Sequence, residues 1–113
     1  MNKLYLKINN KDELLIKKAT WFWPRFIGLM GKKNINYGIL FPKTNSIHTF
    51  FMKEKIDVIA INPNNEIIMI HKNVSKNKII KIKNKYKKTS IIELPYNTSN
   101  NFEIGQKLIF ISK

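Results

Sequence analysis

The sequence predicts a mainly β protein, a small antiparallel β sandwich or partly closed barrel with one short helix near residues 21–31. Three features point there. Apolar residues recur in short runs, several with the period of two that marks a half-exposed strand. Segments rich in Asn, Pro and Gly, with the chemistry of tight turns, separate those runs. Only one stretch changes to helical spacing.

Leu4, Leu6 and Ile8 alternate with Lys3, Tyr5 and Lys7, and Asn9-Asn10-Lys11-Asp12 turns the chain back into Leu14-Leu15-Ile16. The period then shifts. Thr20 can cap a helix, Pro24 is tolerated in a first turn, and Gly31 can end the segment in a left-handed conformation. Trp23, Phe26, Ile27 and Met30 share one face of that helix at spacings of three and four, as core residues do. Tyr37–Pro42 is a short apolar segment closed by proline. Residues 46–52 and 56–62 read as strands joined by Lys53-Glu54-Lys55. Asn62-Pro63-Asn64-Asn65 is a tight turn into Glu66–His71, and Lys72–Lys78 reads as a loop. From Ile79 to Lys88, Lys81, Lys83, Lys85 and Lys87 alternate with Ile80, Ile82 and Tyr86, so one strand face is lined with lysine. Ile91–Pro95 and Lys107–Ile111 supply the last strands, the latter after an Ile104-Gly105-Gln106 turn. With 113 residues, no internal repeat and no linker, residues 1–113 suit a single domain.

The formal charge is +14, and Lys, Asn and Ile supply 55 of the 113 residues. An A- and T-rich genome produces that bias without any partner. The functional alternative is a basic nucleic-acid-associated module using the lysine-rich 72–88 segment, since clustered ammoniums attract phosphate backbones. The absence of cysteine excludes disulfides, thiolate nucleophiles and Cys-ligated metals. No stretch approaches the ~20 apolar residues of a membrane span, and the first residues lack a signal-peptide core, so a cytoplasmic location without membrane association is expected.

Of the 21 basic residues, Arg25 alone is arginine. A guanidinium can grip a carboxylate or phosphate with two parallel hydrogen bonds, which an ammonium cannot do. His48 and Asp57 are polar intrusions in runs that otherwise read as buried strand, and Thr49 lies beside the imidazole. The expected site is therefore a pocket for a small polar or anionic ligand near Arg25, His48, Thr49 and Asp57. The structural alternative is a core histidine, with Asp57 pairing Arg25 or accepting backbone N–H groups. A hydrolase-like enzyme using His48 and Asp57, with Ser46 as a third member, is a further alternative. It lacks the Gly-x-Ser-x-Gly context of a nucleophile elbow. His48, Met52, Met69 and His71 form a soft set that could suit Cu(I), but methionines on apolar faces usually pack, so no metal or other cofactor is expected.

Three stretches together give a family resemblance. Arg25-x-x-Gly28-Leu29-Met30-Gly31 is the first; Gly38-Ile39-Leu40-Phe41-Pro42 with Ser46–Met52 and Ile56-Asp57-Val58 is the second. The third is Ile91-Ile92-Glu93-Leu94-Pro95 with Ile104-Gly105-Gln106-Lys107-Leu108. In this combination the chain resembles the domain of unknown function 192 family, also called uncharacterised protein family 0127. The resemblance implies a compact β-rich domain and no particular activity. The chain departs from the family pattern at Asn45, near which many relatives carry cysteine, and at Tyr96-Asn97, where relatives often have Ala-Gly. Asparagines and Pro63 replace the usual acidic-Gly turn at 62–65, and several relatives are exported.

Overall fold

Strand β5 (Ile56–Ile61) is buried at all six of its positions, and the rest of the architecture is organised about it. The structure is a computed structural model that describes residues 3–19, 33–49, 52–82 and 88–113. The helix expected near residues 21–31 and the end of the lysine-faced strand lie outside those residues. A run of β-branched and small side chains such as Ile56-Asp57-Val58-Ile59-Ala60-Ile61 tolerates burial on both faces only in the middle of a sheet. β5 is flanked by β6 (Ile67–Val74) and β8 (Ser90–Pro95), both antiparallel to it. β3 (Gly38–Phe41), β2 (Glu13–Lys18), β1 (Leu4–Lys7) and β9 (Phe110–Ser112) continue the sheet in the order β6-β5-β8-β3-β2-β1-β9. A second, two-stranded sheet pairs β4 (Ser46–His48) with β7 (Ile79–Lys81). A 3-10 helix spans Thr98–Asn101.

The mainly β class is therefore observed, with two refinements. β2 and β3 run parallel, so the large sheet is mixed rather than wholly antiparallel. The sheet also stops short of closing into a barrel. Its two edges are instead approached by one C-terminal segment. Near β6, Lys107 bridges Glu66 while the Ile67 N–H donates to the Gln106 carbonyl (2.9 Å) and the Gly105 N–H to the Ile67 carbonyl (2.8 Å). A few residues later the chain joins β1 as β9, with Leu4 opposite Ser112 and Leu6 opposite Phe110. Gly105, at φ +90°, makes the turn that begins this crossing; L residues rarely adopt that conformation. At the end of the segment the Lys113 ammonium donates to the Glu13 carboxylate (2.5 Å), a hydrogen bond that raises the Lys113 pKa. Such an exposed pair adds little to stability.

Strand alternation divides the core in two. Ile56, Val58 and Ala60 join Ile39, Phe41, Met52, Ile80 and Ile91 on the face covered by the small sheet. Ile59 and Ile61 join Leu6, Ile16, Ile92, Leu94, Phe102 and Leu108 inside the curl of the large sheet. Burying each such Val, Leu, Ile, Phe or Met side chain is worth ~1.5–3 kcal/mol, which makes β5 the strand with most to lose from substitution.

The turns are set by asparagine. Asn9 Oδ1 accepts from the Lys11 N–H (2.8 Å) and the Asp12 N–H (2.9 Å), closing the β1–β2 hairpin. Asn62 Oδ1 accepts from the Asn64 and Glu66 N–H groups (3.0 and 2.9 Å), and Asn65 takes the left-handed conformation (φ 63°) before β6. β6 runs three residues beyond His71, into the segment expected to be loop, because it carries a bulge. Val58 pairs with His71 and Ile56 with Val74, so Lys72 and Asn73 together oppose Asp57, and Asn73 is left-handed (φ 55°).

Gly38 sits where the parallel pair meets β8. A Cβ there would approach Ile16 Cδ1 to 2.7 Å and the Glu93 carbonyl oxygen to 3.0 Å. The Ile16 methyl can rotate away, but the strand carbonyl cannot. Gly38→Ala is therefore expected to destabilise the protein by about 1–3 kcal/mol, read as a lower urea midpoint with an unchanged slope. An equal or higher midpoint would show that β3 and β8 can separate at no cost.

Candidate functional site

Each polar residue singled out in the sequence has a definite place except Arg25, which lies outside the described residues. His48 closes β4 opposite Ile79, with its side chain half-buried. Thr49 follows at once and is completely buried. Its hydroxyl donates to the Ser75 carbonyl (2.7 Å) and accepts from the Lys78 N–H (2.8 Å). Its backbone N–H donates to the Lys78 carbonyl (2.8 Å), and its carbonyl accepts from the Asn77 N–H (3.2 Å). One threonine thus shapes the whole 75–78 connection, whose Asn77 is left-handed (φ 66°).

Asp57 is equally buried but points elsewhere. Ile56 and Val58 face the small sheet, so alternation turns Asp57 to the opposite face of β5, together with its cross-strand neighbour Leu94. Oδ1 accepts from the Asn73 N–H (3.0 Å), which holds the β6 bulge. Oδ2 accepts from the Ser99 N–H (2.8 Å) and the Ser99 hydroxyl (2.5 Å), which docks the 3-10 helix. A carboxylate with three such donors is well compensated for its burial. The two buried polar groups thus converge on one segment from different sides: Asp57 grips Asn73 and Thr49 grips Ser75.

That segment borders an open hollow of about 520 Å³. Ser75 and Lys76 form one wall; Lys53, Glu54 and Lys55 form another, with Lys33 completing the rim. Four lysines and one glutamate border it, together with Met52, so the net charge around it favours an anion. A second hollow, of about 460 Å³, shares Glu54 and Lys55 with the first and extends to Asn34, Ile35, Pro95 and Tyr96. Glu54 is held between the two, its Oε1 accepting from the Ile35 N–H (3.2 Å).

Of the lysines of the hollow, Lys76 belongs to the lysine-rich 72–88 segment, but Lys33, Lys53 and Lys55 were not singled out in the sequence, where Lys53-Glu54-Lys55 reads as a connection between strands. The available signal was a pair of lysines in a three-residue connection beside the His48 strand. Glu93 was missed as well. It is 3% exposed and pairs with Val58 and Ile39 on the face under the small sheet. Ser99 lies in Thr98-Ser99-Asn100-Asn101, a segment without apolar periodicity, and nothing in the sequence marks it as the partner of Asp57. Among the described residues, no group of three or more His, Asp or Glu side chains could hold a metal ion. None of their helices is long and apolar enough to cross a membrane.

The fold places this chain among small mixed-sheet β proteins. The chain belongs to the domain of unknown function 192 family (DUF192, Uncharacterized ACR), whose model matches residues 5–110. It is similar to a UPF0127 protein of Thermococcus sibiricus, 41% identical over 59 residues that make up 47% of this chain and 38% of that protein. The match thus spans well under half the length of that relative. Two crystal structures share the fold. One, a candidate transcription regulator from Sinorhizobium meliloti, superposes with a TM-score of 0.75 at 16% identity, covering 99% of this chain and 94% of the other. A protein of unknown function from Novosphingobium aromaticivorans gives a TM-score of 0.71 at 11% identity, covering 95% and 83%.

Proposed function

We propose that this chain is a single binding domain that holds a small anionic ligand in the hollow rimmed by Lys33, Lys53, Lys55 and Lys76. The observation that carries the reading is the charge of that rim, four ammoniums against Glu54, on a wall made rigid by internal hydrogen bonds. Thr49 and Asp57 then act as framework: they fix the 73–78 segment that presents Ser75 and Lys76. Arg25 and His48 are assigned to ligand contact on the strength of their chemistry, one as an anion fork and the other as a hydrogen-bonding imidazole. The cytoplasm is taken as the setting, as the sequence suggests. A hydrolase using His48 and Asp57 draws no support from the geometry, because the Asp57 carboxylate accepts from Ser99 and Asn73.

Calorimetric titration with inorganic phosphate at low ionic strength tests the reading. Removing two ammoniums in Lys53→Gln/Lys76→Gln should weaken binding at least ~10-fold, whereas the charge-matched Lys11→Gln/Lys18→Gln should change it little. Equal weakening by both double variants would reduce the effect to net charge and overturn the site. Arg25→Lys and His48→Gln complete the series: weaker binding at an unchanged melting temperature is the result expected of contact residues.

A second reading keeps one observation in its favour. Lys72, Lys76, Lys78 and Lys81 are all exposed along the end of β6, the following connection and β7. A nucleic-acid-associated module would show single-strand binding that falls steeply with salt and no response to phosphate.

A further inference from the structure

Resting on the anion-binding reading, we infer that the ligand is bipartite: a phosphate monoester carried on a planar aromatic body, of which nucleoside monophosphates are the common representatives. The two hollows adjoin, meeting at Glu54 and Lys55. The strip 33–35 passes from one to the other, with Lys33 in the first and Asn34 and Ile35 in the second. The strip 53–55 also passes between them, with Glu54 and Lys55 lining both. The first hollow carries most of the lysines, beside Met52; the second adds Ile35, Pro95 and the Tyr96 ring to the shared Glu54 and Lys55.

Tyr96 is 52% exposed, a large aromatic left in water at the mouth of a concave site. Exposed aromatics beside a hollow are suited to stacking on a flat ligand, because a ring loses little conformational freedom when it binds. Backbone geometry holds it there. Pro95 ends β8 opposite Ile56 in the central strand, and Asn97, left-handed at φ 71°, turns the chain into the 3-10 helix that Asp57 anchors. The first hollow suits phosphate better than carboxylate. Its described cations are lysines, point charges distributed around a rim, and a phosphate dianion offers three terminal oxygens to several of them. Each hollow has a volume usual for small-ligand sites.

The test titrates the full chain with adenosine 5′-monophosphate, ribose 5-phosphate and adenosine under identical low-salt conditions. The nucleotide is expected to bind about tenfold or more tightly than ribose 5-phosphate. Tyr96→Ala should erase that advantage while leaving ribose 5-phosphate affinity unchanged, and Tyr96→Phe should restore it. Lys53→Gln/Lys76→Gln should weaken nucleotide and sugar phosphate alike. Circular dichroism of each variant confirms the native fold before titration. Equal affinity of the native protein for the nucleotide and ribose 5-phosphate would overturn the bipartite ligand and leave the anion site standing. Binding of adenosine but of neither phosphate would overturn both.

Discussion

Replacing Asp57 with alanine is expected to lower the free energy of unfolding by about 3–5 kcal/mol. The carboxylate is completely buried and accepts from three donors: the Asn73 N–H, the Ser99 N–H and the Ser99 hydroxyl. Alanine removes the acceptor and leaves both backbone donors without it, that of Ser99 in the buried interior. The loss is a large share of the ~5–15 kcal/mol that stabilises an ordinary domain. Asp57→Asn preserves shape but keeps only one acceptor oxygen, and its amide hydrogens would face N–H groups. It should cost less than alanine but well over 1 kcal/mol. Ser99→Ala removes the one donor that is a side chain and should cost ~1–2 kcal/mol. Urea denaturation followed by far-ultraviolet circular dichroism measures all three. Should Asp57→Ala unfold within 1 kcal/mol of the native protein, the bulge and the 3-10 helix would not depend on this carboxylate.

Thr49→Val is expected to cost about 2–3 kcal/mol, although it preserves volume and branching. Valine can neither donate to the Ser75 carbonyl nor accept from the Lys78 N–H, and the site is completely buried. The backbone bonds of residue 49 to Lys78 and Asn77 survive, so the 75–78 connection loosens rather than detaches. Thr49→Ser restores the hydroxyl and should recover most of the stability. Amide hydrogen exchange at Lys78 gives a local readout: its protection should fall in the valine variant and return in the serine variant. The same loosening should weaken phosphate binding, because Ser75 and Lys76 form a wall of the hollow. Native exchange protection at Lys78 in the valine variant would remove Thr49 from the framework.

Comparison of sequence and structure separates local from distant information. The β1–β2 hairpin and the turn at 62–65 were legible because asparagine side chains close them within four residues. β5 was legible because continuous burial leaves a continuous apolar run. The pairing of β4 with β7 was not, since Ile47 opposite Ile80 joins segments more than thirty residues apart, and three-residue strands carry little periodicity. The parallel contact of β2 with β3 was hidden for a similar reason: period two identifies a strand but not its direction. At the site, sequence marked Asp57 and Thr49 as unusual but not their partners, which are backbone groups that no residue type advertises. It also grouped Asp57 with His48. Strand alternation about Val58 places the carboxylate on the far face of the sheet, and the direction of a single side chain depends on a register the sequence does not display.

The segment from Gly105 to Ser112, which touches β6 with its first residues and β1 with its last, also governs when the protein can finish folding. A nascent chain emerging from the ribosome can form the β1–β2 hairpin early, from neighbours in sequence. It cannot join the two flanks of the large sheet until residues near 112 have cleared the exit tunnel, more than a hundred positions after the strand they meet. Native closure therefore waits for the whole stretch from β1 to β9 to be made, and until then the open flanks are surfaces that a chaperone would need to shield.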